Sequence, residues 1–359
     1  MMNSVPPHRR LSPLPLAGEV DERSSPGGGN AAISPLPDPP LQTGKGSAPP
    51  RATKPKREKR DVDGWLILDK PVGMTSTHAV SVVKHAFAAK KAGHAGTLDP
   101  LASGVLPIAL GEATKTVPFV MDGRKTYRFT VRWGVETDTD DAEGQVIATS
   151  DVRPDEAAIA AALPAFTGDI LQTPPKFSAI KIAGERAYDL ARDGAEVTLE
   201  PRPVHVGRLT IVARPDADHV ELEAECGKGT YVRAIARDLG RALGTFGHVV
   251  ALRRTAVGPF PETAAVGVER LPQAEPGKPL DRGPLLPVQA GLSELPAFQV
   301  SRSDAARLAR GQAVIMRGRD APIVNGCAAA SSEGTLIAIV DAEGGELRPR
   351  RIFNHRPRG

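Results

Sequence analysis

Apolar and polar positions alternate most regularly over residues 127–133, where Tyr127, Phe129, Val131 and Trp133 interleave with Arg128, Thr130 and Arg132. A period of two predicts a strand with one face on a core and the other toward solvent. Val220, Leu222, Ala224 and Cys226 interleave with Glu221, Glu223 and Glu225 and predict a second such strand. Trp65-Leu66-Ile67-Leu68 is instead an unbroken apolar run, followed by the turn chemistry of Asp69-Lys70-Pro71-Val72-Gly73-Met74. Ser76 or Thr77 is placed to cap a helix in which Val80, Val83 and Phe87 recur at helical spacing. A further helix is predicted at about 230–243, with Val232, Ile235, Leu239 and Leu243 as its apolar stripe and Gly244 placed to stop it. Its arginines 233, 237 and 241 recur every four residues on one side.

Beyond a Pro- and Gly-rich connector at 271–291, the pattern predicts a small unit over 292–356. It has a helix at Ser303–Arg310, a strand at Thr335–Val340, a turn through Gly344-Gly345 and a closing strand toward Phe353. A unit of about 65 residues is near the lower limit for an independent core and is expected to lean on the larger domain at 61–270.

Residues 1–60 differ in kind. They hold 12 of the 34 prolines and no aromatic residue, which predicts a disordered extension. Ten Lys/Arg against five Asp/Glu give that segment a net charge of +5, while the whole chain carries +4. The remainder is therefore close to neutral, and nucleic acid would have to meet a local basic patch. No stretch approaches the apolar length of a membrane span, and two cysteines in 359 residues exclude a disulfide scaffold. A reducing cytoplasm is the expected compartment.

Several chemistries fail on inspection. There is no His-Glu-x-x-His, and neither Cys226 nor Cys327 has a partner at zinc spacing. Gly227-Lys228-Gly229-Thr230 lacks the leading glycine of a phosphate loop, because Leu222 stands there. The acidic run 136–143 misses the calcium-loop register and reads as a solvated loop. Neither a metal nor a cofactor is expected.

The segment Gly93-His94-Ala95-Gly96-Thr97-Leu98-Asp99-Pro100-Leu101-Ala102-Ser103-Gly104 stands apart. Asp99-Pro100 suits a helix start. A lone carboxylate in a long, glycine-rich, mostly uncharged loop also suits a nucleophile or base.

Continued through Gly111-Glu112-Ala113-Thr114-Lys115, this segment resembles the signature of the bacterial TruB-type tRNA pseudouridine-55 synthases. Asp69-Lys70-Pro71-x-Gly73-x-x-Ser76, Lys125-Thr126-Tyr127, Gly134-x-x-Thr137-Asp138-Thr139, Gln172–Lys181, Gly229-Thr230-Tyr231-Val232-Arg233 and Leu252-Arg253-Arg254-Thr255 are similar to further blocks in the family's order. Phe177 departs from the pattern, where tyrosine is common. The resemblance implies an α+β fold, with a mixed, largely antiparallel central sheet flanked by helices (the pseudouridine synthase fold) and a small PUA-like, β-rich C-terminal domain. It implies isomerisation of uridine 55 in the T-loop of tRNA, with no cofactor, by a stand-alone cytoplasmic monomer.

It also implies roles. Asp99 matches the nucleophile, Arg233 the arginine paired with it, and Tyr127 the tyrosine packed on the flipped uracil. His94 matches a contact to the RNA loop, Tyr231 and Leu252 line the base pocket, and Lys70 belongs to the Lys-Pro motif near the site. Taken without the resemblance, Tyr127, Tyr231 and Leu252 read as core, Arg233 as a surface arginine, Lys70 as turn packing or a phosphate contact, and His94 as uninformative. Arg237, Arg241, Lys84, Lys90 and Lys91 are candidates for phosphate contacts. A non-catalytic RNA-binding or tRNA-folding protein on the same scaffold is the alternative, as is the guide-RNA branch of the family. A nucleoside glycosidase is a more distant one.

Overall fold

The computed structural model describes residues 59–178, 181–182, 185–186, 199–275, 277–316 and 325–354. The extension before Lys59, Ala179 of the Gln172–Lys181 block, and the last residues from His355 lie outside the described residues.

A ten-stranded sheet forms the centre. Its first half contains β1 (Gly64–Lys70), β2 (Ala92–His94) and β3 (Ala102–Leu110). Next come β4 (Lys125–Trp133), β7 (Gly168–Gln172), β10 (Arg202–Ala213), β11 (His219–Cys226) and β12 (Gly247–Val257), while β5 (Val135–Thr137) pairs with β6 (Val146–Thr149) and β8 (Lys181–Ile182) with β9 (Glu185–Arg186) outside this sheet. The short β13 (Phe260–Pro261) and β14 (Val266–Gly267) complete it. The spatial order is β14-β1-β3-β12-β4-β11-β10-β7, with β2 beside β3 and β13 beside β12. Only β1–β14 and β3–β12 pair in parallel among the described strands of this sheet.

The two halves of the sheet explain the two sequence patterns. Of the helices α1 (Ser76–Ala86), α2 (Val117–Asp122), α3 (Glu156–Ala162) and α4 (Val232–Ala242), α1 and α4 pack on one face, through Ala79 and Val83 and through Ile235 and Leu239. The opposite face of β1 and β3 is also buried, by Trp65, Ile67, Val105 and Ala109 against Val120 and Phe260. Strands covered on both sides read as continuous apolar runs, as in Trp65–Leu68. Strands β4 and β11 are covered on one side only, so Arg128, Glu221 and Glu223 stand on the other.

A second sheet of five strands occupies Ala297–Ile352, with helix α5 (Arg302–Ala309) packed on it through Leu308. One of its apolar groups, Leu336, Ile339 and Phe353, packs with Leu292 and meets Phe119 of the larger part. Lys115 Nζ donates to the Ile352 carbonyl at 2.8 Å, and the Asn354 N–H donates to Glu112 at 2.8 Å.

Three local expectations are corrected. Thr75, not Ser76 or Thr77, caps α1 by accepting from the His78 N–H. Asp99-Pro100 starts no helix; it forms a turn into β3, which is held by pairing on both edges. Arg60, expected in the disordered extension, is held in place: it bridges Ala89 and donates to the Glu275 carbonyl at 2.6 Å.

Candidate active site

The Asp99 turn is tied down from both ends of the β1–α1 connection. Ser76 makes a reciprocal pair with the Leu98 backbone: its hydroxyl accepts from the N–H at 2.8 Å and donates to the carbonyl at 3.0 Å. The Gly73 N–H donates to the Pro100 carbonyl at 2.8 Å. Fully buried Lys70 spans the same gap, donating to the carbonyls of Pro71, Met74 and Pro100. Burial lowers the Lys70 ammonium to about 8, with Asp99 nearby working in the opposite direction.

Helix α4 brings Arg233 to this turn. Gly229, at φ +89°, takes the left-handed turn before the helix, and Gln172 fixes Tyr231 at its start. The Tyr231 N–H donates to Gln172 Oε1 at 2.8 Å, and Gln172 Nε2 donates back to the Tyr231 carbonyl at 3.1 Å. Arg233 Nη2 then lies 2.9 Å from Asp99 Oδ2, and Nη1 lies 3.0 Å from Asp141 Oδ2. The arginine also donates to the carbonyls of Thr139 and Phe177, each at 2.9 Å. Its side chain is 6% exposed, against 38% for that of Asp99, so the arginine is the fixed partner and the carboxylate faces the cleft.

That cleft has a volume of about 280 Å³ and is lined by Leu98, Asp99, Tyr127, Tyr231, Arg233, Leu252 and Arg254. It brings together five of the seven residues expected from sequence: Asp99, Tyr127, Tyr231, Arg233 and Leu252. Lys70 and His94 are not in its lining. Lys70 holds the turn from below. His94 sits on β2 against Ile108, with a buried Nδ1 that has no hydrogen-bond partner among the described residues. Burial and the nearby Arg254 lower its pKa, keeping the ring neutral. Burial raises the Tyr127 and Tyr231 hydroxyls, so both are protonated donors at neutral pH.

Two expectations about charge are corrected. The acidic run 136–143 is not a solvated loop: Glu136, Asp140 and Asp141 are buried. Their partners are the helix arginines, in order: Asp141 with Arg233, Asp140 with Arg237 at 3.0 Å, and Glu136 with Arg241. Arg237 is therefore buried in an ion pair and not offered to phosphates. Burial pushes the Asp140 carboxyl up to about 6 even beside Arg237.

Arg254 and Lys125 escaped prediction. Arg254 is buried in the wall of the cleft, donating to the carbonyls of Val105, Gly96 and Thr97, and it faces the Tyr127 hydroxyl. The signal for it was a charged residue at a core-facing strand position. Lys125 donates to the Met121 and Gly123 carbonyls, and burial lowers its ammonium to about 8. A carboxylate held by a buried cation, under two aromatic side chains and a leucine, suits covalent or acid–base work on a flat, uncharged group.

Residues 84–232 match the family model described as TruB family pseudouridylate synthase (N terminal domain), and residues 233–292 match the one described as tRNA pseudouridylate synthase B C-terminal domain. The tRNA pseudouridine synthase B of Bradyrhizobium diazoefficiens is 60% identical over 314 residues, which are 85% of this chain and 91% of that one. That of Agrobacterium fabrum is 54% identical over 313 residues, 86% of this chain and 99% of that one. Among solved structures, a chain of a Cbf5-Nop10-Gar1 complex superposes with a TM-score of 0.63 at 26% identity, covering 82% of this chain and 85% of that one.

Proposed function

The chain belongs to the TruB family of pseudouridylate synthases, and from that premise we propose that it converts uridine 55 in the T-loop of tRNA to pseudouridine with Asp99 as nucleophile. The observation that carries the assignment of Asp99 is its ion pair with buried Arg233 at the wall of the cleft. The isomerisation breaks the bond from ribose C1′ to N1 of uracil and forms one from C1′ to C5. The hydrogen lost from C5 is balanced by one gained at N1. No electrons are gained or lost overall, and no water is consumed.

The base has to leave its stack to reach the cleft, at a cost of a few kcal/mol. Tyr127, Tyr231 and Leu252 supply flat and apolar surface for it. Arg233 holds Asp99 in one orientation and leaves the exposed part of the carboxylate for the substrate. In this reading Tyr127, with its protonated hydroxyl, is placed to serve late proton movement. His94 would meet the RNA loop, and Lys70 would keep the Asp99 turn in place.

The same reading makes 61–270 the catalytic domain, 271–291 a connector and 292–356 a PUA-like RNA-binding domain. It makes the enzyme a cytoplasmic monomer. Asp99→Asn is the test, because it is nearly isosteric. Pseudouridine in a tRNA transcript should fall below detection while tRNA Kd stays within about tenfold, or 1.4 kcal/mol. Turnover within tenfold of wild type would remove Asp99 as nucleophile.

A further inference from the structure

We propose that Arg237 and Asp140 are positioning residues for this reaction: their buried ion pair fixes the loop from which Arg233 is held against Asp99. The proposal rests on the assignment of Asp99 made above. Among the described residues four contacts hold Arg233, and only one of them is Asp99 itself. Two of the other three come from one short stretch, the Thr139 carbonyl and the Asp141 carboxylate. The placement of Arg233 is therefore only as firm as residues 139–141.

Asp140 lies in the middle of that stretch. Its backbone has φ +61°, in the left-handed region that asparagine and aspartate tolerate better than most residues. The turn lets consecutive carboxylates reach arginines one helical turn apart, Asp141 to Arg233 and Asp140 to Arg237. The Asp140 carbonyl accepts from the Val249 N–H at 3.1 Å, which ties the loop to β12.

Arg237 does the matching work on the helix side. Nη1 meets Asp140, Nε meets Asp238 at 2.8 Å, and Nη2 donates to the Thr173 carbonyl at 2.7 Å. Arg233 reaches the same segment four residues on, at the Phe177 carbonyl. The two arginines thus clamp the same two loops in parallel. Arg237 takes no part in the lining of the cleft, so it can act on the chemistry only through this clamp.

The test compares Asp140→Asn, Arg237→Met, Arg237→Lys and the double variant Asp140→Asn/Arg237→Met with wild type, in the full chain on a tRNA transcript. Single-turnover rate, tRNA Kd and circular dichroism are read for each. Both single variants should lower the rate about tenfold or more with Kd within threefold, since displacements of a supporting contact can cost up to about a hundredfold. The double variant should be no slower than the worse single one, because both remove one strut. Arg237→Lys keeps the charge but not the fork, and should recover the fold with only part of the rate. It decides the case if the other variants do not fold. Wild-type rates in the folded variants, a loss confined to Kd, or full recovery by Arg237→Lys would overturn the proposal. Asp99→Asn is run alongside. If it stays active, the assignment of Asp99 has failed; if it is inactive while the clamp variants match wild type, only the clamp has failed.

Discussion

Lys70 keeps a positive charge in a fully buried place because three carbonyls surround it and Asp99 is near. Its pKa is about 8, below the ordinary 10.5, so the folded state binds this proton less tightly than the unfolded state. Stability then rises with pH between about 8 and 10.5, as the buried charge is discharged, and the penalty is fully present below 8. Lys70→Met lacks this titration. The Tm difference between wild type and Lys70→Met should shift in favour of wild type as pH rises from 8 to 10, and a constant difference would refute the buried charge. Tyr127 allows a cleaner separation of ring from hydroxyl. Tyr127→Phe should slow turnover with tRNA affinity within threefold. Tyr127→Leu should also weaken binding, since base–aromatic stacking contributes roughly 1–3 kcal/mol. Equal effects of the two substitutions would mean that the ring makes no stacking contact. That Asp99, Tyr127 and Arg233 meet in one cleft was legible only through blocks that resemble the family's, since alone Tyr127 reads as core and Arg233 as a surface arginine. Lys125 and Arg254 stand in such blocks too but were passed over, because sequence does not show that their side chains turn inward onto carbonyls such as those of Gly123 and Val105.

Elements were legible where a strand has one wet face, as β4 and β11 do, and helix α4 was legible from its stripe. The acidic run was misread because its partners, Arg233, Arg237 and Arg241, lie about a hundred residues away, and local charge density alone favours a solvated loop. Asp99-Pro100 was misread as a helix start for a related reason. Residues 102–110 pair with β1 on one edge and with β12 on the other, and that pairing overrides the local capping signal. The parallel β3–β12 contact also fixes the identity of Gly104. It has φ +97°, and a Cβ there would lie 2.3 Å from the Arg254 carbonyl oxygen. Gly104→Ala should therefore part the two strands that carry Arg254 and the Asp99 turn. The expected cost is on the order of 3 kcal/mol or more, with lost activity. A melting temperature within about 2 °C of wild type would show that the strands can shift to admit a methyl group.

At the scale of the molecule, the described site and the two large sheets are built from residues 59–354, while the preceding 58 residues carry eight basic and five acidic side chains. The charge of that segment was legible at once, because counting needs no contacts. The packing of the small C-terminal sheet on Phe119 and Leu292 was foreseen only as a need for support, since a core of that size does not name its neighbour. The composition of residues 1–58 predicts an effect on affinity and not on chemistry. Removal of residues 1–58 keeps Arg60 and its contacts to Ala89 and Glu275. Turnover at saturating tRNA should then stay within about twofold. At low salt the excess positive charge can displace counterions from RNA phosphates, with roughly 0.7–0.9 released per phosphate neutralised. Truncation should therefore raise Kd for tRNA at 50 mM salt, and the slope of log Kd against log salt should fall by at most about 3. The two curves should converge as salt approaches 0.5 M, where screening shortens the reach of such charges to a few ångströms. A fall in turnover with saturating tRNA would show instead that the segment helps to build the site. A loss of affinity that persists at high salt would point to contacts other than charge.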